Sequence, residues 1–234
     1  MTTVAILLAG GSGARLGVGD NKAYLELGGH PLLAWSLASF ERCALIDDVV
    51  LVTRPEDADR ARAAAAAVGA TKLRAVVAGG ATRHESEQAG LDAIAPDILS
   101  GSVTLVAIHD AARPFVTGAL LERLLTAAAT HGGAVPGLPV GAPFLVRGTT
   151  RIDASALRRM QTPQAFHAAG LLTAYRAATA AGFHGVDTAE TVEHHGELEV
   201  VVVAGDPDNR KVTYSDDLAA ATGRAATWPE RPGA

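Results

Sequence analysis

The chain holds 20 lysines and arginines, of which only Lys22, Lys72 and Lys211 are lysine, leaving 17 arginines. Where arginine is the default cation, a retained lysine marks a place where a compact point charge suits better than a planar fork. Lys22 follows Leu8-Ala9-Gly10-Gly11-Ser12-Gly13-Ala14-Arg15. The glycines of that loop leave main-chain N–H groups free to converge on phosphate, and Arg15 and Lys22 can supply its countercharge. Lys72 has no such company and reads as a chance survivor. Lys211 lies in Gly205-Asp206-Pro207-Asp208-Asn209-Arg210-Lys211-Val212, two carboxylates and two cations in one turn. Such a turn is commonly just solvated. Beside the first loop it makes a third wall for a polyphosphate.

Asp110 stands in Ile108-His109-Asp110-Ala111-Ala112-Arg113-Pro114, at the end of an apolar run. It can hold Mg2+, which takes one or two carboxylates and completes its shell with phosphate oxygens and water. It can equally pair with Arg113, or merely cap its own turn. His109 is read as a packed histidine without a chemical role. His194 and His195 are adjacent, so they face apart on a helix and make a poor metal pair. Two nucleotide motifs fail on the spacing. G-x-G-x-x-G requires glycine where Leu16 stands, and a Walker A loop requires Gly-Lys-Ser/Thr where Asn21-Lys22-Ala23 stands.

These residues need elements to hold them. Val4–Leu8 and Val49–Val52 are unbroken aliphatic runs, and Leu73–Val77, Val103–Ile108 and Leu198–Val203 are aliphatic but for one polar residue each; none alternates, the pattern of strands covered on both faces. Helices are expected over Leu32–Phe40, Pro55–Val68, Glu85–Ile94, Gly118–Thr130, Ala168–Ala180 and Thr188–His194. The alternation predicts an α/β, doubly wound, mostly parallel Rossmann-like sheet. In such a sheet ligands sit beyond the carboxyl ends of the strands, where all three loops fall. From Pro139 to Asp153 the rhythm breaks, and Gly148-Thr149-Thr150 signals a turn, so a protruding β-hairpin arm is expected there. The division predicted is one domain over 1–222 and a loose tail over 223–234.

With 48% hydrophobic residues and 19% charged, the 234-residue chain is no disordered protein. A formal charge of −5 argues against a nucleic-acid partner. Cys43, the single cysteine, excludes an internal disulfide and reads as a buried inert thiol. No apolar run reaches the roughly 18 residues of a membrane span. Met1-Thr2-Thr3 leads straight into a strand, so a soluble cytoplasmic protein without a membrane partner is expected.

The first loop with Lys22 resembles the signature of nucleoside-triphosphate-dependent nucleotidyltransferases. Gly79-Gly80-Ala81-Thr82-Arg83-His84-Glu85-Ser86, His109-Asp110-Ala111-Ala112-Arg113-Pro114, Gln161-Thr162-Pro163-Gln164 and Asp208-Asn209-Arg210-Lys211-Val212-Thr213 resemble its cytidylyltransferase branch. Within that branch they are most similar to the 2-C-methyl-D-erythritol 4-phosphate cytidylyltransferase family. The resemblance implies CTP lying over Ala9, Gly10, Gly11 and Gly13, its triphosphate held by Arg15 and Lys22. It implies cytosine read near Gly80 and by Ser86, with Arg83 also on the nucleotide side. Asp110 would serve Mg2+ and substrate, Arg113 the substrate, and Lys211 the α-phosphate and the incoming phosphate. A homodimer is implied, with the arm over the partner's site.

The chain departs from that family where Ala142-Pro143 replaces an Asp-Thr pair, where Ala154 replaces an arginine, and where Ala81 replaces an Asp. The resemblance implies an enzyme joining CTP and 2-C-methyl-D-erythritol 4-phosphate with release of pyrophosphate; the departures make another small phosphorylated acceptor, such as ribitol 5-phosphate, the alternative. A nucleotide-binding protein without turnover is the alternative of another class.

Overall fold

The computed structural model describes residues 2–11, 13, 19–141, 144–147 and 150–232. The strands are β1 (Thr2–Leu8), β2 (Glu26–Leu27), β3 (His30–Pro31), β4 (Asp48–Thr53), β5 (Leu73–Ala78), β6 (Val103–Asp110), β7 (Gly132–Pro139), β8 (Phe144–Arg147), β9 (Thr150–Asp153), β10 (Arg158–Met160), β11 (Gln164–His167) and β12 (Glu199–Ala204). The helices are α1 (Leu32–Arg42), α2 (Ala58–Ala67), α3 (Arg83–Ser100), α4 (Gly118–His131), α5 (Ala168–Ala180), α6 (Thr188–His195) and α7 (Ser215–Ala225).

β5, β4, β1 and β6 run parallel in that order. β11 enters antiparallel between β6 and β7, and β12 lies parallel along β7. Alternating side chains of the central strands feed two cores. Ala5, Leu7, Val49, Leu51 and Ala107 pack with α1, α2 and α4. Val4, Ile6, Val50, Val52, Val106 and Ile108 pack with α3, α5 and α6. Both faces are thus dry, which is why these strands read as aliphatic runs without alternation. The expected mostly parallel α/β sheet with helices on both faces is what forms. The hairpin expected over 139–153 appears as β8 and β9, paired from Phe144 opposite Asp153 to Arg147 opposite Thr150. Ala142-Pro143 lies outside the described residues. Among the described residues no helix is long and apolar enough to cross a membrane.

Four expectations need correction. The helix expected over Glu85–Ile94 runs from Arg83 to Ser100 and passes through Pro96. Its start is fixed by a Thr82–Glu85 capping box, and its packed face, through Leu91, Ile94 and Ile98, outweighs the one hydrogen bond a proline forfeits. β7 and β11 escaped notice; Gly132–Pro139 carries too few aliphatic residues to signal a strand, and its ladder is set by neighbours distant in sequence. Lys72 is no idle survivor, since its ammonium donates to the carbonyls of Cys43 at 2.8 Å and Phe40 at 3.4 Å, capping the end of α1.

Nor is the described part of the expected tail, 223–232, loose. α7 continues to Ala225, and the Trp228 ring is buried 4.9 Å from Phe115 in a small core with Leu27, Leu32 and Trp35. Arg42 then binds the carbonyls of Glu230 and Arg231 at 2.7 and 3.1 Å. A buried Trp truncated to Ala costs about 3–5 kcal/mol. Trp228→Ala, or ending the chain after residue 222, should therefore lower denaturant stability by about 3 kcal/mol or more; an unchanged midpoint would contradict this packing.

Candidate active site

The glycine loop is pinned at both ends. At its start the Ala9 N–H donates to Val52 O at 2.7 Å. Beyond it, the fully buried Asn21 donates to Ala9 O at 2.6 Å and to Asp57 Oδ2 at 2.8 Å, while accepting from the Ala23 N–H. Asp57, itself buried, is held by Arg54 at 2.7 Å and Arg60 at 3.1 Å. Lys22 therefore leaves a fixed base and passes over the loop. A Cβ on Gly11 would sit 3.1 Å from Lys22 Cε, so the lysine chain lies close against the loop at that glycine. Lys22 Nζ reaches Val212 O at 3.4 Å.

The facing wall is the turn before α3. A Cβ on Gly80 would collide with the Glu85 side chain that completes the capping box, so only glycine fits. Ser86 Oγ donates to Thr82 O at 2.9 Å, in the first turn of the helix.

Asp110 ends β6 between these walls. Its N–H donates to Thr162 Oγ1 at 3.0 Å, and the Ala111 N–H donates to Leu8 O at 3.0 Å, locking the turn to β1. The last loop is sewn on by the buried Asn209, whose Nδ2 donates to Thr162 O at 2.8 Å and whose carbonyl accepts from Arg113 at 3.0 Å. The Val212 N–H donates to Ala112 O at 2.8 Å. Lys211 is thereby delivered to Asp110, with Nζ 2.7 Å from Oδ2. Arg83 Nε lies 3.2 Å from Oδ1 and Arg113 Nε 3.9 Å from Oδ2. Burial works to raise the Asp110 carboxyl, but Arg83, Lys211 and Arg113 outweigh it and hold the group well below the usual carboxylate range. Asp110 stays ionised throughout the physiological range.

Two cavities meet at this carboxylate. The larger, about 370 Å3, is lined by Gly10, Gly11, Lys22, Gly80, Ser86 and Lys211 among others. The smaller, about 180 Å3, is lined by Arg113, Thr162, Gln164 and Asp187. Arg83, Asp110 and Lys211 border both. Most of the residues singled out in the sequence thus converge. Ala9 borders neither cavity; it is buried with its N–H and carbonyl already engaged. Gly13 is buried with φ +64°, a conformation favouring glycine, and Arg15 lies outside the described residues. Arg83 borders the larger cavity but spends its hydrogen bonds on Asp110 and Glu87. Ala154, where the resemblance leads one to expect an arginine, is a buried methyl. Sequence reasoning missed Asn21, Asn209 and Glu87. Only Glu87 had a visible signal, an acid on the otherwise buried stripe of α3.

The family profile for 2-C-methyl-D-erythritol 4-phosphate cytidylyltransferase matches residues 3–224. A relative of that name from Geobacillus kaustophilus is 38% identical, over 93% of this chain and 94% of its own length. The bifunctional enzyme IspD/IspF of Dinoroseobacter shibae is 39% identical over 97% of this chain, which spans only 54% of that longer relative. Of solved structures, 4-diphosphocytidyl-2C-methyl-D-erythritol synthase from Anaerococcus prevotii superposes with a TM-score of 0.82 at 26% identity, over 95% of each chain. The 2-C-methyl-D-erythritol 4-phosphate cytidylyltransferase of Thermus thermophilus gives 0.72 at 31% identity, covering 95% of this chain and 98% of its own.

His109, next to the central carboxylate, is structural, as its type suggested. It is fully buried, with Nδ1 3.2 Å from the Thr162 hydroxyl and Nε2 3.1 Å from Arg113 O. Burial, only partly opposed by Asp110, pushes its pKa from 6.5 down to about 4. Between those values the unfolded chain takes up a proton that the folded one refuses. Stability present above pH 6.5 is therefore lost as pH falls towards 4, on the order of 3 kcal/mol in all. Urea unfolding from pH 7 to 4.5 should show a shallower loss in His109→Gln than in wild type; equal slopes would contradict this assignment.

Proposed function

Because the chain belongs to the 2-C-methyl-D-erythritol 4-phosphate cytidylyltransferase family, we propose that it joins CTP to 2-C-methyl-D-erythritol 4-phosphate, releasing pyrophosphate and forming 4-diphosphocytidyl-2-C-methyl-D-erythritol. The observation that carries this reading is the pair of cavities sharing Asp110 and Lys211, one walled by glycine loops and the other by Arg113. That is an arrangement for two phosphate-bearing substrates. In this reading CTP occupies the larger cavity, with its triphosphate over Gly10, Gly11 and Gly13, against Arg15 and Lys22. Cytosine lies by Gly80 and Ser86. The acceptor occupies the smaller cavity, with its phosphate towards Arg113 and Lys211.

An acceptor phosphate oxygen attacks the α-phosphorus of CTP. As that P–O bond forms, the bond from the α-phosphorus to its bridging oxygen breaks, and pyrophosphate leaves with the electron pair. No general base is required, since a phosphate monoester is already anionic near neutral pH. The obstacle is repulsion between two anions, which Lys22 and Lys211 counter while fixing the line of attack. One ionised carboxylate beside a phosphate site fits Mg2+, which asks little more of a protein; among the described residues no cluster of three or more acidic, histidine or cysteine side chains offers an alternative. Bound at Asp110, the ion would neutralise triphosphate charge. We place the enzyme in the cytoplasm as a homodimer with the β8–β9 arm near its partner, and without nucleic-acid or membrane partners; sedimentation at micromolar concentration tests the dimer.

One observation favours a second acceptor. The buried methyl of Ala154 stands where the resemblance leads one to expect an arginine, so ribitol 5-phosphate is the comparison substrate. Pyrophosphate release with CTP and Mg2+ is expected with the methylerythritol phosphate; release with ribitol 5-phosphate alone would transfer the assignment, and CTP binding without release for any acceptor would make the protein a non-catalytic binder. Arg15→Ala, Lys22→Ala and Lys211→Ala should each lower turnover by about a hundredfold or more with the fold intact, the cost of one charge-assisted contact to a transition state. Wild-type rates would remove the residue concerned from the site.

A further inference from the structure

Glu87 is fully buried and lies one turn along α3 from Arg83, on the stripe that continues through Leu91, Ile94 and Ile98. The reaction described above makes no use of it. A carboxylate on such a face is costly unless its charge is met. Here a single oxygen, Oε1, accepts from Arg83 Nη1 at 2.6 Å and from the Thr188 hydroxyl. Arg83 passes the connection on, donating from Nε to Asp110 Oδ1. Its remaining nitrogen, Nη2, is buried and meets no acceptor among the described residues, so two carboxylates alone orient the guanidinium.

The second contact reaches another wall. Thr188 opens α6 directly after Asp187, which caps that helix through the Glu190 N–H at 2.9 Å and accepts from Gln164 Nε2 at 3.1 Å. Asp187 and Gln164 border the smaller cavity only, whereas Gly10, Gly11, Lys22 and Ser86 border the larger one only. One oxygen of Glu87 therefore joins α3, and through Arg83 the central carboxylate, to the start of α6. We infer that Glu87 is a positioning residue for the phosphorylated acceptor, fixing Asp110 and the Asp187 end of α6 as two walls of the smaller cavity. The acceptor's place there rests on the function proposed above.

Glu87→Gln keeps the shape and removes the charge. In steady-state assays with CTP, Mg2+ and 2-C-methyl-D-erythritol 4-phosphate it should raise the acceptor KM about tenfold, the scale of losing a supporting contact behind a site residue. KM for CTP should rise by a clearly smaller factor, since of the two walls Glu87 fixes only Asp110 also borders the larger cavity. Thr188→Val, a milder change that serves if the first variant fails to fold, should raise the acceptor KM alone by a smaller factor. Glu87→Gln/Thr188→Asp returns a carboxylate from the opposite side of the contact and should recover much of the loss. An unchanged acceptor KM in folded variants, or equal rises in both KM values, overturns the inference. The Arg83 Nε–H proton supplies a readout independent of turnover. Its solvent exchange should quicken about tenfold in Glu87→Gln, since a neutral amide oxygen holds Nη1 less firmly than a carboxylate and the bond to Asp110 becomes the main restraint. Unaltered exchange overturns the inference even if wild type uses another acceptor, whereas quickened exchange in a wild type inactive with methylerythritol phosphate would count against the proposed substrate alone.

Discussion

The Asp110 carboxylate, gripped at once by Arg83, Lys211 and Arg113, is the constraint on which the site depends. Three cations repel one another, and burial makes that repulsion worse. A single anion at their centre lets them gather. It also commits the chain to staying ionised there, because the positive charges outweigh the desolvation that would otherwise protonate the carboxyl. The residues so gathered come from the start of α3, the end of β6 with the turn beyond it, and the loop after β12. No stretch of sequence could have supplied them locally.

Around that centre the framework is built from buried amides. Asn21 and Asn209 each satisfy backbone groups from segments far apart in the chain, and each is fully sealed from water. An amide that finds its partners in such a place, as both polar atoms of Asn21 do, specifies one arrangement of the loops rather than many. The result is rigid support under short polar loops, which suits a reaction whose difficulty is bringing two anions together in one orientation. Catalysis of this kind asks for fixed charge more than for a reactive side chain.

Much of this could be read from the residues in order. The central strands announced themselves because Val4–Leu8 and Val49–Val52 are dry on both faces, and the loops at their carboxyl ends carried glycine and lysine where a phosphate site belongs. What escaped depended on partners remote in sequence. β11 is four residues long and takes its antiparallel place from pairing with β6 and β7, not from its own composition. Trp228 is a solitary aromatic near a proline; nothing in its neighbours predicts that Phe115 and Trp35 form its pocket. The locations of Gly10, Gly11, Lys22, Asp110 and Lys211 followed from motif and strand order. The pairing of Arg83 with Glu87 required the fold.

The most direct measurement is a crystal of the protein soaked with CTP and Mg2+. The triphosphate should lie between Gly11 and Gly80, with the ammonium groups of Lys22 and Lys211 within hydrogen-bonding distance of its phosphate oxygens, and the smaller cavity open beside the α-phosphate. A nucleotide bound elsewhere, or one that leaves both lysines without phosphate contact, would contradict this placement.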